Sequence, residues 1–408
     1  MVNRRRDGKS MNNLDYFIRY VRVSTQSDDT TGTTPSTERQ KDLGRILVQD
    51  LLNLGVKDAH MDQWGNVYGH LPGQYSERIG LNAHMDTALE VSGENVQPHL
   101  VRKYQGNVIK LANGLEMSPE SFPSLKKHIG HDLVVTDGNT LLGADDKSGL
   151  AIIMSVVKFF HDHPEVKHHT LCICFTVDEE IGEGPLHIDY QKFGADYAYT
   201  IDGADINVVE CENFNAKEAE ISVKGVSIHP GEGKGKLINA GVVINSLISE
   251  LPAEETPFDS EDHEGFWHLT EVSGTPDNAY ASIILRDFED AGIKHRVKIV
   301  ENAVKKTQAK YPTATIELKI RDQYYNMKQY VDKNPYVVNK AVDIIRSHGL
   351  EPVVGFIRGG TDGATMSKNG LITPNLGTAS YNHHGRFEYL DVQEFEQMIK
   401  IVTDILRQ

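Results

Sequence analysis

The chain has 408 residues, more than a single hydrophobic core usually serves, so two or three domains are expected. With 39% hydrophobic and 25% charged residues it is neither disordered nor fibrous. Acidic residues outnumber basic ones 58 to 42, and the net charge of −16 argues against wrapping nucleic acid or lying on an anionic membrane.

Taken in chain order, Arg4-Arg5-Arg6 is not followed by the apolar stretch of a signal peptide. Residues 1–10 are therefore expected to form a flexible extension, and the protein to be cytoplasmic. Leu43, Ile46, Leu47 and Leu51 recur at helical spacing within 37–54, and Ile79–Ala83 is a short strand-like run ending in His84-Met-Asp86. A polar, Pro-containing stretch follows over roughly 90–130. Leu150, Ile153, Met154, Val157 and Phe160 then mark one buried face of a long helix. Two buried strands follow, Leu171–Val177 and Tyr197–Ile201. The first carries Cys172 and Cys174, expected to be small core residues because three cysteines make no disulfide framework. His161, His163, His168 and His169 fall around an inter-element loop and are expected to be solvated. No run reaches the ~18 apolar residues of a membrane-spanning helix.

From 217 to 326 the pattern changes to strand, helix, two strands around a Thr-Pro-Asp turn, helix and strand. That order is the β-α-β-β-α-β split unit. Helical periodicity resumes after Asn334-Pro335, over 336–348 and 393–407. The expected fold class is α/β, with a discontinuous catalytic domain (11–216 and 327–408) interrupted by a smaller inserted domain (217–326).

Eighteen histidines accompany the acid excess, and together they are the ligand types of borderline metal ions. Five segments place such residues at predicted strand ends or in loops, where open α/β sheets bind ligands. In His84-Met-Asp86 the two side chains share one side of a strand, so the carboxylate can orient the imidazole; a plain polar strand end has the same sequence. Asp145-Asp146 enter a helix, where acids also favour the dipole. Asp178-Glu179-Glu180 leave an apolar strand, where like charges raise one another's pKa unless a cation is near. Adjacent side chains diverge, so one acid can ligate while its neighbour acts as general base; a solvated acidic turn is the alternative. Asp202 ends a strand, and His383-His384 lie in a Gly-punctuated loop. Arg358-Gly-Gly-Thr-Asp-Gly363 matches neither a phosphate loop nor a dinucleotide fingerprint.

In this order the segments resemble the two-zinc exopeptidases and deacylases, and specifically their tripeptide-aminopeptidase branch. The likeness runs from about residue 14 to 406. It rests on Pro35-Ser-Thr-Glu38, Leu141-Leu-Gly-Ala-Asp-Asp-Lys147, Glu212-Asn-Phe-Asn-Ala216, Tyr324-Tyr-Asn-Met327 and Arg358-Gly-Gly-Thr-Asp-Gly-Ala364. The resemblance implies a mixed-sheet catalytic domain with a ferredoxin-like insert serving as lid or dimerisation domain. It implies hydrolysis of the N-terminal peptide bond of tripeptides, assisted by two divalent ions, Zn²⁺ foremost with Mn²⁺ or Co²⁺ as alternatives. His84, Asp145 and Asp202 would hold one ion, and Glu180 and His384 the other, with Asp145 bridging. Asp86 would orient His84, and Glu179 would be the base that activates a water. His229, Arg286 and Arg358 would touch substrate, with His229 reaching a neighbouring subunit's site in dimeric relatives. A homodimer through the insert is the expected assembly.

Overall fold

Runs that are apolar on both faces can only become strands buried on both faces, and they dominate the architecture. The computed structural model describes residues 11–408; the expected extension at 1–10 lies outside them. Contacts divide the chain into two units. One comprises residues up to 211 with 329–355 and 361–408, and the other residues 212–328 with 356–360.

The first unit is built on an eight-stranded mixed sheet. Its strand order is His60–Met61, Val67–Leu71, Thr170–Thr176, Arg78–His84, Tyr197–Gly203, Asn375–Gly377, Val208–Asn213, Val353–Ile357. Thr170–Thr176, Arg78–His84, Tyr197–Gly203 and Asn375–Gly377 pair in parallel, while antiparallel pairs flank them. Register brings the chemistry level. His84 pairs with Thr176 and Asn82 with Thr200, so His84, the acids after Thr176 and Asp202 all emerge at one edge of the sheet.

The helix Ala144–Asp162 packs on Arg78–His84 and Tyr197–Gly203 and is covered by the helices Asn13–Val21 and Val392–Arg407. Ile152 and Val156 are buried as fully as Ile153 and Val157, so this helix is enclosed all round rather than along one face. Cys172 and Cys174 are buried and free. His168 and His169, expected to be solvated, are buried instead. The His168 ring lies 4.1 Å from that of Phe160, and its Nδ1 is 2.6 Å from the carbonyl oxygen of His169.

The stretch over 90–130 is not structureless. His99–Val101 and Leu133–Val135 join Tyr389–Asp391 and Ser380–Tyr381 in a four-stranded antiparallel sheet. Tyr104, Ile109, Met117 and Leu125 pack with Tyr381 and Tyr389 in its core. The short loop between the last two strands carries His383 and His384.

The second unit is a four-stranded antiparallel sheet in the order Phe266–Gly274, Asn278–Asp287, Asn215–Lys224, Thr315–Tyr324. The helices Ala240–Ile248 and Asp290–Lys310 share a core with it, through Val243, Leu247, Ile293 and Val300 against Ile221, Ile283 and Leu285. In chain order these elements make the split β-α-β-β-α-β unit. Among the described residues no helix is long and apolar enough to cross a membrane.

Candidate metal centre

Two groups of ligand atoms converge at the sheet edge of the first unit. His84 Nε2 lies 3.0 Å from Asp145 Oδ1 and 3.4 Å from Asp202 Oδ1. His384 Nε2 lies 3.0 Å from Glu180 Oε2 and 3.4 Å from Asp145 Oδ2. Asp145 therefore turns one oxygen to each imidazole. Each group holds one imidazole and two carboxylates, with Asp145 shared between them.

Local backbone decides which of two neighbouring acids serves. Asp145 and Asp146 open the helix Ala144–Asp162 with non-helical dihedrals (φ −82°, ψ 107° and φ −118°, ψ 36°), so their side chains diverge. Asp146 points inward, accepting from the His84 amide at 3.1 Å and from the Gly149 amide at 3.1 Å. The triad of acids divides in the same way. Asp178 accepts from the Ser36 amide and hydroxyl and from Gln40 Nε2, bracing the segment before the helix Gln40–Asn53. Glu180 joins the convergent group, and Glu179 belongs to neither group. His383 hydrogen-bonds Ser380 Oγ at 2.9 Å through Nε2 while its Nδ1 lies 3.5 Å from Asp145 Oδ2, whereas His384 Nε2 faces both Asp145 and Glu180.

Electrostatics test whether cations fit. Burial, and then the neighbouring Asp145, push the Glu180 carboxyl up to about 7, and its Oε1 has no hydrogen-bond donor. Burial also raises Asp202 and takes Glu179 well above the ordinary range. Burial alone would raise Asp145 too, but His383, His384 and His84 hold it well below. Hydrogen bonding to Asp145 and Glu180 lifts His384 to about 12. So many buried acids facing two imidazoles are strained as a purely protonic cluster, and divalent cations relieve that strain. The donor set, two imidazoles and three carboxylates with no thiolate, fits two such ions.

Residues 132–408 match the peptidase family M20/M25/M40. Over 394 residues the chain is 42% identical to Peptidase T of Clostridium perfringens, covering 96% of this chain and 97% of the relative. The chain belongs to the M20/M25/M40 peptidases. The fold is shared with two solved structures. One is aminopeptidase PepT from Bacillus cereus (TM-score 0.74, 21% identity, 97% of each chain). The other is a tripeptidase from Staphylococcus aureus (TM-score 0.76, 20% identity, 97% of each chain).

In this M20/M25/M40 peptidase, several residues outside the convergent groups position them. Asp86 Oδ1 lies 3.3 Å from His84 Nδ1 and accepts from the Glu179 amide at 3.1 Å. Its Oδ2 accepts from the Glu180 amide at 3.1 Å and from the Ser27 hydroxyl. One buried carboxylate thus aims an imidazole and anchors the backbone of both glutamates. Glu388, to which sequence reasoning gave no role of its own, accepts from the amides of Leu142, Gly143 and Asp145 at 2.8, 2.7 and 2.9 Å. Glu90 Oε1 lies 3.4 Å from His384 Nδ1. Neither glutamate stands in a cluster or a regular spacing, so no local pattern marks it.

The three residues expected to touch substrate are carried by the second unit. His229 is exposed, and its Nδ1 accepts from the Gly231 amide at 3.2 Å. Arg286 is buried in its strand, donating to the carbonyls of Lys217 and Leu285 and lying over the Tyr324 ring. Arg358 donates to the carbonyls of Asp262 and Glu264 and to Ser260 Oγ, with Phe214 beneath it. Both guanidinium groups already hold backbone of their own unit.

Proposed function

We propose that this peptidase is a metallo-aminopeptidase that releases the N-terminal residue of tripeptides. The observation that carries the reading is Asp145, whose two oxygens face one imidazole–carboxylate group each, with Glu179 beside them as an acid outside both groups. His84, Asp145 and Asp202 would hold one divalent ion and Glu180, His384 and Asp145 a second, Zn²⁺ foremost. Bound there, the ions would polarise the scissile carbonyl and acidify a water.

Glu179 supplies the proton traffic. Its carboxylate takes a proton from the attacking water as the C–O bond forms, then delivers it to the leaving amine nitrogen as the C–N bond breaks. Burial raises the Glu179 carboxyl, which makes it the better base toward the water's proton. Asp86 holds Glu179 through its amide, so base and His84 move as one body. His229 is assigned to the developing charge on the carbonyl oxygen, since its ring is exposed. Arg286 and Arg358, engaged with carbonyls, shape the unit that carries it. Three cysteines, an odd number, fit a cytoplasmic home, and the open strand edges of the inserted sheet suit pairing of two copies.

Three substrates test the reading: a tripeptide, a dipeptide and an N-acetylated tripeptide. Release of free amino acid from the first alone is expected, and faster cleavage of the acetylated compound would make the enzyme a deacylase instead. Glu179→Ala is expected to keep the metal bound at the His84 and His384 groups while turnover falls about 10²–10⁴-fold. Retained turnover would remove Glu179 from the mechanism.

A further inference from the structure

A second cluster of metal-ligand types lies apart from the centre just described, in the four-stranded sheet that carries the His384 loop. His128 ends the short 3-10 turn Pro123–His128, His131 stands three residues on, and Asp391 caps the helix Val392–Arg407. His128 and Asp391 are fully buried, whereas the His131 side chain is 35% exposed and open to solvent on one side. His128 Nδ1 lies 2.9 Å and His131 Nδ1 2.6 Å from the same oxygen, Asp391 Oδ2. Glu394 Oε1 is 3.7 Å from His128 Nδ1.

The His128 ring separates this cluster from an ordinary hydrogen-bonded network. His128 is buried, yet neither ring nitrogen is aligned for a hydrogen bond. Closeness to a carboxylate oxygen without N–H alignment is poor geometry for a donor and suits a lone pair aimed at a common point. The 2.9 Å between His128 and Asp391 is close to the 3.0 to 3.4 Å found between ligand atoms of the catalytic groups, while His131 Nδ1 hydrogen-bonds the same oxygen at 2.6 Å. The remaining atoms are arranged to orient the ligands. Asp391 Oδ1 accepts from the Glu394 amide, and Glu394 Oε2 accepts from the Tyr381 hydroxyl at 2.6 Å.

We propose that His128, His131 and Asp391, with Glu394 as fourth donor, form a third divalent-cation site, structural rather than catalytic. Two neutral imidazoles and two carboxylates compensate one divalent charge and make a nitrogen–oxygen donor set of the Zn²⁺ type. A cation there ties the 128–131 turn to the start of the helix Val392–Arg407. Ser380–Tyr381 and Tyr389–Asp391 flank the loop bearing His384, so the site steadies that loop from outside the catalytic centre.

The test counts metal per chain on protein saturated with Zn²⁺ and freed of excess by gel filtration, with His131→Asn alongside. Three equivalents in the wild type and two in His131→Asn are expected, together with loss of zinc anomalous scattering at Asp391 and retained tripeptide turnover. Two equivalents in both proteins, both at the His84 and His384 groups, would overturn the proposal and leave His128 and His131 as neighbours of Asp391 only. Anomalous diffraction from zinc-saturated wild-type crystals decides the question alone should the variant fold poorly. The outcome at Asp391 is independent of whether the His84–His384 centre hydrolyses tripeptides.

Discussion

Glu388 is a buried carboxylate two residues after Arg386. Burial pushes its carboxyl up, while His383 and the amides of Asp145 and Gly143 pull it back down. Three amides of the 142–145 turn converge on it, so it sets the height of Asp145 without touching either imidazole. A Gln at this position keeps the shape but replaces one acceptor oxygen with an NH₂ that faces an N–H donor. Glu388→Gln is therefore expected to lower metal affinity about 10–100-fold and stability by about 1–3 kcal/mol. Equilibrium dialysis against zinc reads the first and denaturant unfolding the second; unchanged zinc affinity would reduce Glu388 to a folding residue. Asp86 shows the same logic at a residue that was legible in the sequence. His-x-Asp at a strand end places both side chains on one side, but its bonds to the Glu179 and Glu180 amides depend on a neighbouring strand.

At the scale of elements, apolar runs carried most of the information. Tyr197–Gly203 and Thr170–Thr176 lie within two residues of where their apolar runs place them, because each buries a contiguous apolar pattern. The sheet around 99–135 escaped, since its apolar residues are scattered and their partners, Tyr381 and Tyr389, lie some 250 positions away. Glu77, just before the strand Arg78–His84, shows how polar groups join distant elements. It accepts from the hydroxyls of Tyr197 at 2.9 Å and Tyr336 at 3.1 Å and from Lys340 Nζ at 3.2 Å. Burial alone would raise its pKa, but these donors hold it below the ordinary value. A carboxyl depressed in the fold adds stability above its unfolded pKa, near 4.3, and loses it as pH falls through the folded value. The stability gap between wild type and Glu77→Gln is expected to be full above about pH 5 and to close in stronger acid. A gap independent of pH would mean the bonds matter for their shape alone.

Across the whole molecule, the centre draws on segments separated by 300 residues, so cations bound there stabilise the first unit as a whole. Any ligand specific to the folded chain adds RT ln(1 + [L]/Kd), about 2.7 kcal/mol at a hundred times Kd. Removing divalent ions with a chelator is expected to lower the melting temperature, and restoring Zn²⁺ to recover it, as scanning calorimetry would show. An unchanged melting temperature would mean that the buried acids need no cation to fold. The acidity of −16 is a weaker guide than it first looks, because among the described residues Asp145, Glu180 and Asp202 are the acids of the two convergent groups at the sheet edge.

By itself the sequence determined the α/β class, the inserted β-α-β-β-α-β unit and the segments where chemistry collects. Those features follow from local pattern, which burial enforces along the chain. The resemblance had already pointed to Asp145 over Asp146 and to His384 over His383; the tertiary structure added the backbone turn that separates the two acids and the convergence of Asp145, Glu180 and His384. It also brought Glu388 under the 142–145 turn and His128 and His131 onto Asp391. Neighbouring side chains diverge, and which one turns inward depends on backbone dihedrals and long-range partners that no stretch of sequence contains.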